Sequence, residues 1–535
     1  MTHTEMNPEE ARLLPWAREL VALYESGANN QFILYGNVND RMLVPAGDQG
    51  AIGNLRDYLL KGLLAPFDVV LSYDMGNGIR VEKGGDVFAQ WLKLRKTPEL
   101  PKSPQAAVET LTHYFRYTGN LARLGEKSPQ VACLLPAAEL IAPAREMGFS
   151  YETNTIVLLM REWANDSLIS SHAVATFLLT ENLNDLHPLL ANNIHAGKIK
   201  IPLPDAGTIH QSLAFLLSRY GKALEAYSGR LELLSQQLVG AGLSAIEQMI
   251  KAAEYKKEAI QPENLVALKK RLLEQEYGGL IGFIESKRTL DALYGLDMIK
   301  ASLRQDIALW AKNDLKAMPM GYLLCGPVGT GKTFFVECLA GEAGVPVVKL
   351  KNFRDKWVGS TEGNLEKIFR LLHALGRCIV FVDEADQALG RRDATSGDSG
   401  ISGRVYSMIA EEMSNTNNRG KIIWILASSR PDLIEVDLKR PGRVDVKIPL
   451  FPTLTRREGF ALIQAIAKRL DLLFSDDLFA AIETLIPEML TPGAAEALAV
   501  KVYRVAKTQG MEPAQALQAC LQNYQLPVPQ DIMDF

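Results

Sequence analysis

Basic charge, cysteine and long apolar runs are all scarce in this chain, and each scarcity removes a class of protein. The 58 lysines and arginines are outnumbered by 62 aspartates and glutamates, for a formal charge of −4, so there is no broad basic footprint for nucleic acid. Five cysteines, Cys133, Cys325, Cys338, Cys378 and Cys520, are scattered through 535 residues; they fit no metal spacing and read as buried reduced thiols. The seven histidines include His187 and His195, which neither pair with cysteine nor stand four apart on a helix, so no metal centre is expected from them. No apolar run is long enough to cross a bilayer, and Met1-Thr2-His3-Thr4-Glu5 is not a basic segment followed by an apolar one, so a cytoplasmic protein without a membrane partner is expected. What remains is ordinary for a globular protein, 47% hydrophobic and 22% charged, at a length that calls for three or four folding units.

Against that plain background one stretch stands out. Gly326-Pro327-Val328-Gly329-Thr330-Gly331-Lys332-Thr333 follows the apolar run Tyr322-Leu323-Leu324-Cys325 and precedes Phe334-Phe335-Val336-Glu337-Cys338-Leu339. A glycine-rich loop between a strand and a helix folds its backbone N–H groups round an anion, at the positive end of the helix dipole. Lys332 would then reach the β- and γ-phosphates of a nucleotide and the Thr333 hydroxyl would ligate Mg²⁺. About fifty residues on, Ile379-Val380-Phe381-Val382 reads as a fully buried strand ending in Asp383-Glu384. Asp383 is expected to hold the metal through water and Glu384 to act as general base on the attacking water.

Strand and helix patterns alternate around these motifs. A helical period over 296–312 leads into the loop; Pro346–Leu350 is a strand, 362–375 an amphipathic helix, Ile422–Ala427 a strand and Val444–Ile448 a last short strand. Right-handed crossovers make such a series a parallel sheet with its ligand at the carboxyl edge. From residue 453 the pattern is wholly helical. The N-terminal half repeats the order, with apolar runs at 31–35, 69–73, 131–135, 173–179 and 199–202 and a helical stretch from about 206 to 275. Gly36-Asn37-Val38-Asn39-Asp40 follows its first strand without a Gly-Lys-Thr, and Pro136-Ala137 stand where carboxylates would be. That order suits either a relative of the second half that has lost hydrolysis or an unrelated α/β domain.

Residues 295–505 resemble the AAA+ ATPases, and within them the AAA clade. The resemblance rests on Gly295-Leu296-Asp297 with Lys300, the loop and carboxylate pair above, Lys356-Trp357-Val358-Gly359-Ser360-Thr361-Glu362, and Leu438-Lys439-Arg440-Pro441-Gly442-Arg443-Val444-Asp445. It implies a P-loop NTPase parallel sheet with a C-terminal helical lid, preceded by a second, non-catalytic α/β domain with its own lid. The implied division is 1–205 for a degenerate AAA-like domain, 206–275 for its lid or linker, 276–320 for a leading helix and linker, 321–452 for the nucleotide domain and 453–535 for the C-terminal lid.

The resemblance also implies roles. Gly326 to Thr333 and Phe334 contact the nucleotide, as do Gln464, where a histidine often meets adenine, and Gly493 with Ala494 in a lid turn. Ser429 stands at the first sensor position, usually asparagine. Arg440 and Arg443 are arginine fingers that reach the γ-phosphate held by a neighbouring subunit. Trp357 and Val358 form a pore loop that grips polypeptide, while Arg391 and Arg392 either add a second tier of pore contacts or are a solvated pair. The cofactors implied are ATP and Mg²⁺, and the partners are copies of the chain, in a ring of six, and a protein substrate or adaptor. No His-Glu-x-x-His follows the ATPase stretch, which excludes the membrane-bound metalloproteases of the clade. The expected function is an ATPase that remodels or threads protein; an ATP-dependent scaffold or switch with slow hydrolysis is the alternative, and the acidic balance disfavours a nucleic-acid motor.

Overall fold

Apolar runs buried on both faces build one mainly parallel sheet in each half of the chain. The computed structural model describes residues 13–44, 51–95, 99–144, 150–170, 174–277, 279–312, 314–351, 361–389, 399–522 and 524. The first half supplies β1 (Gln31–Gly36), β2 (Arg41–Val44), β3 (Ala51–Asn54), β4 (Val69–Asp74), β5 (Gly78–Lys83), β6 (Val131–Leu135), β7 (Val174–Thr180) and β8 (Ala196–Ile201). The second supplies β9 (Ile281–Ile284), β10 (Gly321–Cys325), β11 (Val347–Leu350), β12 (Cys378–Val382), β13 (Ile422–Ser428) and β14 (Val446–Pro449).

The sheet orders are β5-β4-β6-β7-β1-β8 and β14-β10-β13-β12-β11-β9, with β2-β3 a separate hairpin. Each sheet has parallel neighbours throughout except at one edge, where β5 runs antiparallel to β4 and β9 antiparallel to β11. The five N-terminal strands expected from the apolar runs are all present. β2, β3, β5 and β9 are additions, and the last strand runs Val446–Pro449, just after Asp445, whose carboxylate accepts the Gly442 and Met320 amides at 2.7 Å each.

Strand pleating explains the burial. In the first sheet Phe32, Leu34, Ala132, Leu134, Ala175 and Phe177 face one apolar layer, while Ile33, Val69, Leu71, Val131, Cys133 and Leu178 face the other. Side chains alternate along a strand, so a sheet covered on both sides requires continuous apolar runs. Helices follow each sheet: Ala206–Leu217, Leu231–Leu238, Leu243–Lys256 and Pro262–Glu276 after the first, and Arg456–Ala467, Pro492–Gln509 and Pro513–Gln522 after the second. The latter set has a core of its own, around Phe460, Ile463, Leu498 and Leu517.

By contacts the chain divides into two units, one of residues 1–276 with 359–374 and one of the remainder. The helix Thr361–Leu375 therefore groups mostly with the first unit, although in sequence it lies between β11 and β12. Its Glu366 accepts from the Asn184 amide at 2.7 Å and its Lys367 pairs with Glu181. All five cysteines are free thiols, and all but Cys325 are buried.

Within the first unit, the turn after β1 is closed by a carboxylate. Asp40 is buried, and it accepts the Arg41 amide at 2.7 Å, the Leu243 and Ser244 amides at 2.8 Å each and the Asn37 side-chain amide at 3.0 Å. Gly242, at the N-cap of Leu243–Lys256, has no side chain to supply that cap. Asp40 caps the helix from about 200 residues away, and anions are favoured at such a position. Asp40→Ala removes the acceptor of three backbone amides, a loss of roughly 2–3 kcal/mol. Amide exchange across 243–256 should then accelerate about thirtyfold or more in the full chain; unchanged protection would show that the helix end is held by something else.

Candidate nucleotide-binding site

The loop at the carboxyl end of β10 is shaped by close backbone approaches. Gly326 has φ 155°, and a Cβ there would lie 2.0 Å from the Leu450 carbonyl oxygen, a distance no side chain tolerates. Gly331, at φ 86°, is the left-handed N-cap of the helix Lys332–Ala343, a conformation open to glycine at little cost. The buried Thr330 donates to the Pro327 carbonyl at 2.9 Å and fixes the bend between them. The result is a helix N-terminus behind a turn, the arrangement that binds phosphate.

Lys332 is folded onto this loop. Its ammonium donates to the Gly326 carbonyl at 2.7 Å, the Pro327 carbonyl at 3.0 Å and the Ser429 hydroxyl at 3.1 Å. Burial lowers its pKa from the ordinary lysine value, while Asp383 and Asp386 act in the opposite sense. An ammonium held by neutral acceptors exchanges them readily for phosphate oxygens, because the new partners carry charge. Ser429 follows the end of β13, so the residue after that strand and the loop lysine touch directly.

The carboxylate pair ends β12. Asp383 Oδ2 lies 3.5 Å from the Thr333 hydroxyl, and its Oδ1 accepts the Glu384 amide at 3.2 Å. A hydroxyl and a carboxylate facing one spot are the sparse hard-oxygen donors with which Mg²⁺ is content, since it keeps several of its waters. Glu384 is exposed and has φ 48°. A non-glycine residue held there costs about 1–2 kcal/mol, and such strain gathers at functional sites. Beneath the pair, the fully buried Ser428 donates to Asp386 at 2.6 Å and accepts the Arg430 amide at 3.0 Å, tying β13 to the helix that starts at Ala385.

The lid meets the loop through backbone. The Gly493 amide donates to the Gly329 carbonyl at 2.9 Å, and a Cβ on Gly493 would sit 3.2 Å from that oxygen. Thr491 caps the helix Pro492–Gln509 by accepting the Ala494 amide at 3.3 Å, and its hydroxyl is 3.1 Å from the place a Gly329 Cβ would occupy. The Phe334 ring meets two guanidinium groups, Arg288 at 5.0 Å and Arg469 at 5.1 Å from its centroid. Gln464 uses its amide inside the lid, donating to the Phe474 carbonyl at 3.0 Å and to Asp476 at 3.1 Å.

Arg440 and Arg443 are not at this edge. Asp445 donates its amide to the Gly321 carbonyl at 3.0 Å, and a Cβ on Gly321 would lie 2.5 Å from the Arg443 carbonyl oxygen. The arginine turn thus stands at the amino end of β10, and the loop at its carboxyl end, about 17 Å away at the rise of a strand. Arg440 is 68% exposed and pairs with Asp437 at 3.0 Å. Arg443 is better held, by the Ser414 hydroxyl at 2.6 Å, the Asp437 carbonyl at 3.0 Å and the Asp437 carboxylate. Trp357, Val358, Arg391 and Arg392 lie outside the described residues.

Four residues at the site were not picked out from sequence: Thr491, Ser428, Asp386 and Lys349. Lys349, in β11, donates to Asp383 Oδ2 at 2.7 Å. A lysine inside the run Pro346-Val347-Val348-Lys349-Leu350 was the available signal, since charge at the end of a buried parallel strand calls for a partner.

The first sheet repeats this scaffold position by position. Gly36, at φ 106°, would bring a Cβ 2.6 Å from the Ile201 carbonyl oxygen, as Gly326 does with Leu450. Ala137, two residues past β6, has φ 50°, as Glu384 has past β12. Glu139 lies within hydrogen-bond reach of the Thr180 hydroxyl, the counterpart of Asp386 and Ser428. Burial raises the pKa of Glu139 above the ordinary carboxylate value. Pro136 and Ala137 replace the two carboxylates, and Asp40 occupies the turn where the phosphate loop would be.

A glycine loop at a helix N-terminus, a carboxylate pair on a neighbouring strand and a helical lid touching the loop define a P-loop nucleotide-binding domain. The chain belongs to the AAA+ ATPases: residues 322–451 match the ATPase family associated with various cellular activities (AAA), and residues 7–202 match the AAA+ chaperone, N-terminal Rossmann-like domain. Among curated proteins it is similar to the ATP-dependent zinc metalloprotease FtsH of Lancefieldella parvula, 35% identical over 150 residues, 28% of this chain and 23% of that protein. It is also similar to a cell division cycle protein 48 homolog of Archaeoglobus fulgidus, 35% identical over 136 residues, 25% and 18% of the two chains. A third is ATPase family gene 2 protein homolog A of Homo sapiens, 33% identical over 178 residues, 31% and 20% of the two chains. The chain spans about a fifth of the length of these relatives. Among the described residues no helix is long and apolar enough to cross a membrane.

Proposed function

We propose that the chain is a ring-forming ATPase that couples ATP hydrolysis to the remodelling or threading of a protein substrate. The observation that carries this reading is the separation of Arg440 and Arg443 from the chain's own phosphate loop, at opposite ends of β10. Guanidinium groups that cannot reach their own nucleotide can serve one bound next door, and a charge placed on the transferring phosphoryl group contributes about 10³–10⁵ in rate. Six copies in a closed ring are the assembly proposed, since a heterologous interface closes only as a ring. Arg440 is the better finger, because Arg443 is held by Ser414 and Asp437.

In this reading Lys332 and the loop amides hold the phosphates. Thr333 and Asp383 would hold Mg²⁺, which when bound neutralises charge on the β- and γ-phosphates. Glu384 takes the proton of the attacking water. Ser429, within 3.1 Å of Lys332, reports the γ-phosphate to β13. The Gly493–Gly329 contact supports a lid that moves with nucleotide state, and Trp357 with Val358 would ride that motion against polypeptide. The free thiols suit a reducing, cytoplasmic setting. The first domain, with Pro136, Ala137 and Asp40 in place of the catalytic groups, is proposed to bind no nucleotide.

The second reading is a nucleotide-dependent scaffold, favoured by Ser429, whose single rotor positions water less firmly than a planar amide. Trp357→Ala separates the two. A remodelling ATPase should keep its basal phosphate release within about twofold and lose stimulation by an unfolded polypeptide; stimulation that survives contradicts threading. Glu384→Gln should retain bound ATP and lower phosphate release at least a hundredfold, and unchanged release would remove Glu384 from its role as base.

A further inference from the structure

The carboxylate that would share Mg²⁺ already carries a cation of its own. Lys349 and Phe381 are register partners on β11 and β12, and the lysine ammonium lies over the Phe381 ring, 5.4 Å from its centroid. It ends 2.7 Å from Asp383 Oδ2. That is the oxygen facing the Thr333 hydroxyl; Oδ1 is taken by the Glu384 amide. The ammonium therefore stands on the carboxylate oxygen nearer the Thr333 hydroxyl.

We propose that Lys349 is an internal counter-ion of the nucleotide site, competing with Mg²⁺ for Asp383 and setting how strongly nucleotide binding depends on free magnesium. The inference rests on the reading of Asp383 and Thr333 given above. With magnesium low, the ammonium neutralises Asp383 beside the phosphate loop, so that a polyanionic nucleotide meets less repulsion from Asp383, Glu384 and Asp386. With magnesium high, the metal and the ammonium would both draw on the charge of the Asp383 carboxylate, and each would weaken the other's hold. Both side chains are partly exposed, 33% and 27%, so the pair adds little to folding stability. Its effect lies in which cation the site holds.

The test is a titration of a fluorescent adenine nucleotide into the full chain, in EDTA and across a range of free Mg²⁺. Lys349→Gln should bind the nucleotide about five- to tenfold more weakly in EDTA. It should also reach its half-maximal magnesium effect at about five- to tenfold lower free Mg²⁺ than the parent, while Lys349→Arg should stay close to the parent in both. Coincident curves for Lys349→Gln and the parent overturn the counter-ion, as does a shift to higher Mg²⁺. Failure of the parent chain to bind nucleotide at any Mg²⁺ concentration overturns the nucleotide site itself, and the counter-ion with it. An unchanged melting temperature in Lys349→Gln is expected, and a large fall would assign the lysine a structural role instead.

Discussion

Strand direction governs this molecule. β10 is hydrogen-bonded on both sides, to β13 and to β14, in one parallel register. That register puts the phosphate loop, Ser429 and the Asp383–Glu384 pair at one end of the sheet and the Arg440–Arg443 turn at the other. A residue cannot move from one end to the other without unzipping a buried ladder whose amides have no water to turn to. The close packing of Gly326 on the Leu450 carbonyl tightens the constraint, since it ties the loop to the chain that leaves β14. On the reading proposed above, an ATPase built on this strand would draw its arginine from a neighbouring copy.

The first domain shows what the scaffold does without the chemistry. Its strand order, its positive-φ glycine after β1 and its left-handed residue after β6 all persist, although Ala137 gains nothing from that strained conformation. Strain of this kind is explained by the fold, where the chain must turn sharply off the end of a central strand. At Glu384 the same turn projects a carboxylate. Asp40 then supplies an anion to the N-terminus of Leu243–Lys256, so this helix is capped from within the chain.

Local signals were legible in sequence because the chemistry is contiguous. The glycine loop, Asp383-Glu384 and the central strands each need only a handful of neighbouring residues to be recognised, and the identity of Pro136-Ala137 announced the missing carboxylates. The edge strands were not legible. β9 has four residues with a glycine among them, and β5 alternates apolar and charged side chains through Arg80, Glu82 and Lys83, so neither presents the continuous apolar run that marks a buried strand. Asp40 and Lys349 were missed for a different reason: each acquires its role from a partner distant in the chain, Asp40 from Leu243 and Lys349 from Asp383. Pairings of that kind follow from topology, which sequence pattern gives only in outline.

Completion of each pocket by a neighbour is open to a direct trial. Lys332→Ala subunits keep Arg440 but lose the phosphate loop lysine, and Arg440→Ala subunits keep the loop but lose the finger; each alone should turn over ATP about 10³-fold more slowly than the parent. Mixed in equal amounts and allowed to exchange, they should recover a substantial fraction of parental turnover, because some interfaces then pair an intact loop with an intact arginine. A mixture no faster than its components, or an Arg440→Ala protein that turns over at the parental rate by itself, would contradict catalysis shared across subunits.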